Sequence, residues 1–283
     1  MKNKPYIWIS NIKMILVTLL ISQAACNVFA SHQETEEKKE EVVAKAHPAP
    51  TKIILASDYY CPYACEPGDS EEGMLVELAK KIFAKNSIEV QYKLMPWHDA
   101  LAALENGEID GVLGAKINEI KAVFPSVSQA SSQTAAFVTS DSKWFYDGVN
   151  SISGNVIGLV DGYSYPLELK SYIYSFYITK PELFSFATGK NAVADNIQKL
   201  EKKQIWTYIE DENVVRYYMQ KNNITNIKNV GYISPVPDQI FIAFSRASEY
   251  SDNYARFVSE AMVKMRESNE LKDLYIKYNI KEY

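Results

Sequence analysis

Two stretches hold several of the residue types that could do chemistry. The first is Asp58-Tyr59-Tyr60-Cys61-Pro62-Tyr63, which follows an apolar run over residues 53–57 that reads as a buried strand. Ligands of open parallel sheets bind beyond the carboxyl ends of the strands. Asp58, Tyr59, Tyr60 and Tyr63 are therefore candidates for a site walled by rings that also hydrogen-bond; a loop packed by its own tyrosines is the alternative. The second stretch is Asp211-Glu212-Asn213-Val214-Val215-Arg216-Tyr217-Tyr218, where Asp211 reads as the N-cap of a helix. Other chemistries find no support. The histidines are His32, His47 and His98, without metal spacing, and neither a phosphate-cradling glycine loop nor a G-x-S-x-G or H-E-x-x-H motif occurs. No metal or cofactor is expected.

The elements that must position these residues centre on residues 73–114. Leu75, Leu78, Ala79, Ile82 and Phe83 make one apolar stripe of a helix. Ile88, Val90, Tyr92 and Leu94 then alternate as a strand does. Pro96 suits the start of a second helix, with Trp97, Ala100, Leu101 and Leu104 as its buried side. Gly107 stands where a helix end favours a left-handed residue. A short apolar strand over 109–113 completes βαβαβ, whose right-handed crossovers make the sheet parallel.

The chain's start has a different character. Lys2, Lys4 and Lys13 precede an apolar run over 14–21, and Val28-Phe29-Ala30 offers a cleavage site, so residues 1–30 read as an export signal. Their removal takes away three Lys and no acid, moving the net charge from −5 to −8. Nucleic acid and anionic lipid are poor partners for so acidic a protein. Cys26 after Ala24 and Ala25 allows a lipid anchor instead, although Gln23 stands where such signals prefer Leu. Residues 31–50 are a charged linker. An exported compartment favours pairing of Cys61 with Cys65 in C-P-Y-A-C over a metal pair, since no His or further Cys stands nearby.

The 73–114 stretch also carries a resemblance. G-M-L-V-E-L-A-K-K-I followed by P-W-H-D-A-L-A-A-L-E-N-G-E-I-D-G-V-L-G-A resembles the first lobe of periplasmic solute-binding proteins of the polar-amino-acid type. The likeness extends more weakly over residues 51–283. It implies an α/β, two-lobe, type II periplasmic-binding-protein-like fold, each lobe a mostly parallel sheet flanked by helices. It implies a monomer that closes on a small polar solute, amino-acid-like or a carboxylate, and serves the membrane permease of an ABC transporter. Within G-A-K-I-N-E-I-K, Lys121 stands where the family has the arginine that clamps a ligand carboxylate, and Asn118 replaces a Thr. Arginine offers a planar fork and lysine a point charge. Either Lys121 or Lys116 does a weaker version of that task, or the ligand is not a standard α-amino acid. By the same resemblance Tyr63 and Trp97 are aromatic walls, Ser164 a donor at a helix start, and Asp211 the partner of a ligand ammonium. Tyr163 departs from the family's small residue.

Further strands are expected over 137–139, 156–160, 205–209, 225–233 and 241–244, and closing helices around Tyr254 to Met265 and Leu271 to Tyr278. Residues 170–190 are rich in Tyr and Phe and escape assignment. Lobe 1 is expected to comprise residues 51–139 and 241–283 and lobe 2 residues 140–240, with two linkers as a hinge. Two other functions fit the same scaffold. One is an enzyme resembling prephenate-type dehydratases, with Asp211 or Glu210 as general acid. The other is a receptor subunit that reports a solute to a membrane sensor.

Overall fold

The computed structural model describes residues 50–117 and 119–282. The expected export signal, Cys26, Asn118 and all but the last residue of the charged linker lie outside the described residues.

Among the described residues ten strands form two five-stranded sheets. In the first, β1 (Lys52–Ser57) pairs in parallel with β2 (Glu89–Leu94) and β3 (Gly111–Ala115). The βαβαβ reading of the sequence is thus realised. Helix α1 (Met74–Ala84) and helix α2 (Trp97–Glu105) are its crossovers. The stripe Leu75, Leu78, Ala79, Ile82 and Phe83 of α1 is buried, because those positions recur on one helical face. Gly107, just past α2, takes φ +72 and ends the helix as expected.

The first sheet is completed from distant sequence. Strand β4 (Ala130–Ser132) and strand β10 (Asp238–Phe244) add antiparallel, in the order β2-β1-β3-β10-β4. The second sheet repeats the plan as β7-β6-β8-β5-β9. Here β6 (Ile157–Val160) pairs in parallel with β7 (Phe184–Ala187) and β8 (Thr207–Asp211). Strand β5 (Thr134–Thr139) runs antiparallel between β8 and β9 (Ile227–Tyr232). Each sheet is therefore mixed.

Sheet membership moves the crossings from where the sequence placed them. Residues 134–139, expected at the end of the first lobe, pair in the second sheet, because Ala135 and Phe137 belong to the apolar cluster there. Asp238, Gln239 and Ile240 already pair with β4 in the first sheet. The chain changes sheet at Gln133 and again over 233–237.

Residues 170–190 resolve into helix α3 (Leu167–Phe176) and edge strand β7. Their rings fill one face of the second sheet, where Tyr172 and Phe184 pack with Leu169. Helix α4 (Ala192–Glu201) and helix α5 (Glu212–Asn222) cover the other face. Helices α6 (Ser251–Glu267) and α7 (Glu270–Lys277) close the core of the first sheet against α1. Among the described residues no helix is long and apolar enough to cross a membrane.

Cys61 and Cys65 are joined in a disulfide, as the sequence favours. The stapled loop runs directly under α1. Tyr63 is fully buried, and its carbonyl accepts from Leu75 N at 2.9 Å. Gly73 permits this approach. It sits at φ +109 and ψ 151, a region essentially reserved for glycine, and a Cβ there would lie 2.5 Å from the Tyr63 carbonyl oxygen. Gly73→Ala should therefore cost at least about 2 kcal/mol, from backbone strain plus displacement of the loop. A urea titration checks this, and an unchanged midpoint would show that the loop gives way freely.

Candidate functional site

The carboxyl ends of the parallel strands in both sheets converge on a cavity of about 70 Å³. From the first sheet come Asp58, at the end of β1, and Gly114 and Lys116, at the end of β3. Ser132 and Thr134 line it from either side of the first crossing. The second sheet contributes the turn Gly162 to Tyr165, after β6, and Glu210 and Asp211, at the end of β8.

Asp211 is the most heavily bonded group. Only 4 % of the residue is exposed. One oxygen caps α5, accepting from Asn213 N at 2.6 Å and Val214 N at 3.1 Å. The other accepts from the Ser132 hydroxyl and from Tyr60 and Tyr63, each at 3.4 Å. Burial raises its carboxyl above the ordinary value against the pull of Ser132 and the two backbone donors. The expected helix cap is thus real, and the same carboxylate faces the cavity.

Glu210 and Asp58 complete an acidic wall. Glu210 is 2 % exposed; Tyr208 donates to one oxygen at 2.6 Å and Asp211 N to the other at 2.8 Å. Burial pushes its carboxyl up to about 8, with the negative Asp211 and Asp58 adding to the effect. Asp58 is raised to about 6 by burial, partly offset by hydrogen bonds from its own backbone and Ser57. Lys116 reaches the cavity, but its ammonium already donates to Asp238 at 2.8 Å. Four carboxyl groups (Asp58, Glu119, Glu210 and Asp211) thus line the cavity against one paired ammonium. Burial keeps Glu210 largely protonated near neutral pH, so it is the other carboxyls that give the cavity a field favouring a cation.

The aromatic candidates divide. The Tyr60 ring lies against the cavity, 4.7 Å from Tyr63 and 6.0 Å edge-on from Tyr163 by ring centroids. Trp97 also lines it. Tyr63 stands behind Tyr60, accepting from Asn213 Nδ2 at 2.8 Å, with its single proton shared between the Ser131 carbonyl at 2.9 Å and Asp211 at 3.4 Å. Ser164 faces the cavity from an exposed turn. Lys121 is exposed and does not line it, because the chain beyond β3 continues as a surface turn rather than a helix.

Several lining residues escaped the sequence reading. Glu210, named in the sequence only as an alternative general acid, follows Tyr208 at strand spacing and precedes Asp211. Ser132 and Thr134 lie in a small polar stretch with no period to mark them. Tyr163 was visible only as a departure.

The acidic wall gives stability a definite pH dependence. Glu210 titrates at its ordinary 4.5 when unfolded and at about 8 when folded. Between those values the native state holds the extra proton, so this group's contribution to stability is fully present below about 4.5 and is lost as pH rises toward 8. Asp58 acts in the same direction up to about 6. Urea titrations from pH 5 to 8 should show a steeper loss in the wild type than in Glu210→Gln. Parallel curves for the two proteins would contradict the burial of this carboxyl.

Comparison with known proteins places this geometry in a family. Residues 53–281 match the bacterial extracellular solute-binding proteins, family 3. A probable histidine-binding protein of Neisseria gonorrhoeae is 21 % identical over 261 residues, covering 91 % of this chain and 94 % of that one. The arginine-binding extracellular protein ArtP of Bacillus subtilis (strain 168) is 22 % identical over 276 residues, covering 92 % and 96 %. Among solved structures, a mutant of an arginine-binding protein from T. maritima superposes with a TM-score of 0.64 at 18 % identity, over 81 % of this chain and 95 % of its own. Two mixed sheets flanked by helices, with acids gathered where their strands converge, thus accompany a match over most of the sequence, and the chain belongs to the bacterial extracellular solute-binding proteins, family 3.

Proposed function

We propose that this protein binds a small organic cation of amino-acid type outside the cytoplasm and delivers it to the permease of an ABC importer. The observation that carries this reading is the cavity's charge. Four carboxyl groups line it, its ammonium is engaged by Asp238, and tyrosine rings lie alongside. Rings and carboxylates together are a cation's surroundings. Asp58 and Asp211 are the partners of positive charge, Tyr60 and Trp97 the walls, and Ser164 a hydroxyl donor. Tyr63 acts through Asp211 by bonding to it. Lys116, not Lys121, lines the cavity, and its pairing with Asp238 leaves it a weak partner for a ligand carboxylate. The relatives bear names of binders of histidine and arginine, both capable of positive charge.

Export with cleavage after Ala30, or anchoring through Cys26, accords with the family's extracellular setting. The protein acts as a monomer. Its two chain crossings, at Gln133 and over 233–237, form the hinge on which the sheets close around the ligand, and the ligand shifts that equilibrium by its preference for the closed state. Binding rather than catalysis is the role. Glu210 holds its proton as a general acid must, but an acidic cavity repels the carboxylates of a prephenate-like substrate. A sensory receptor subunit would use the same site.

Calorimetry with L-arginine tests this directly. Saturable one-to-one binding is expected, with L-glutamate giving none. Removing one member of a buried charge pair costs about 2–5 kcal/mol, so Asp58→Asn should weaken binding more than tenfold. Lys121→Ala should leave it unchanged. Equal affinity for L-glutamate, or full affinity in Asp58→Asn, would overturn the proposal.

A further inference from the structure

The cleft does not end at the acidic cavity. A second chamber of about 730 Å³ adjoins it and shares Asp58, Trp97, Gly162 and Tyr163 with it. Those four residues make a waist between the two. The walls of the outer chamber are of another kind. Met95, Pro96 and Leu101 stand on one side, around the end of β2 and on α2, and Val160 and Val193 stand on the other, from β6 and α4, with His98, Asp161 and Lys190 as charged or polar members of the lining.

Volume and chemistry both divide at the waist. The inner cavity, at about 70 Å³, has room for a few water molecules, hence for a cationic head group. The outer one is within the range of about 300–1,000 Å³ that accommodates an organic ligand. The Tyr163 ring at the waist is 6.0 Å from Tyr60 and 6.5 Å from Tyr165 by centroids, so the narrowing is built from a cluster of packed rings. An apolar group entering the outer chamber leaves water for apolar side chains, which adds affinity in proportion to the area covered.

Resting on the reading above that the inner cavity takes a cation, we propose that the cleft is a two-part site for an amphipathic organic cation. The charged head sits among the carboxylates, and an apolar extension passes Tyr163 into the outer chamber. The preferred solute is therefore larger than a free amino acid: an amine or guanidine bearing an aryl or alkyl substituent, or the N-terminal end of a short basic-apolar peptide.

Two probes with the same head separate this proposal from the simpler one. L-argininamide carries the cation alone, and L-arginine β-naphthylamide adds an apolar ring system. Calorimetry on the full chain should find the naphthylamide at least tenfold tighter. Leu101→Ser, in the outer wall, should abolish that gain and leave L-argininamide unaffected. A naphthylamide no tighter than the amide, or a gain that survives in Leu101→Ser, overturns the two-part site while the cation reading stands. Failure of both probes to bind overturns the two together.

Discussion

One buried carboxylate joins the two halves of this protein. Asp211 stands at the end of β8 in the second sheet, where its side chain caps α5. The same group accepts from Ser132 of β4 in the first sheet and from Tyr60 and Tyr63 of the stapled loop. A carboxylate so far from water needs several donors, because each lost bond would leave a charge poorly compensated. The donors come from both sheets, so the satisfaction of Asp211 depends on how the sheets meet. This constraint couples the cap of a helix, the loop that carries Tyr60 and the wall of the cavity.

Other contacts reinforce the same junction. Tyr217 of α5 donates to Glu71 at 2.7 Å, and Lys221 pairs with the same carboxylate at 2.7 Å. Near the chain's end, Lys281 N donates to Asn213 Oδ1 at 2.8 Å, and its ammonium pairs with Glu212 at 3.1 Å. These pairs lie nearer solvent and are individually worth little. The Asp211 cluster is buried, with Asp211 4 % and Ser132 2 % exposed, and its bonds hold the junction. Around it Glu210 and Asp58 are held as reluctant acids, since burial disfavours their charged forms. A cation bound between them would offset that cost.

Much of the fold was legible because it is written in local periods. The α1 stripe, the alternation over β2 and the glycine after α2 mark the βαβαβ unit without reference to the rest of the chain. Sheet membership was less legible. Residues 134–139 form a good strand wherever they are placed, and only the pairing partners, about 70 and 90 residues away, decide that they belong to the second sheet. The Tyr- and Phe-rich residues 170–190 defeat periodicity because an edge strand and its neighbouring helix are ringed on several faces. Of the candidate site, Asp58, Tyr60 and Asp211 could be read because each stands where a strand ends or a helix begins. Glu210 is one residue from a recognisable position. Lys121 was named by its place in a motif, and a motif carries no information on which way a surface turn points. The acidity of the cavity was not legible, because its carboxyls are spread over about 150 residues of sequence, from Asp58 to Asp211.

The dependence of this structure on a charge held between its sheets can be examined most directly in a crystal structure of the protein grown with L-arginine. The expected result is a guanidinium or ammonium group within hydrogen-bonding distance of Asp58 or Asp211, with the Tyr60 ring alongside. An arginine bound outside the cleft, or one whose carboxylate rather than its cation faces these acids, would contradict it.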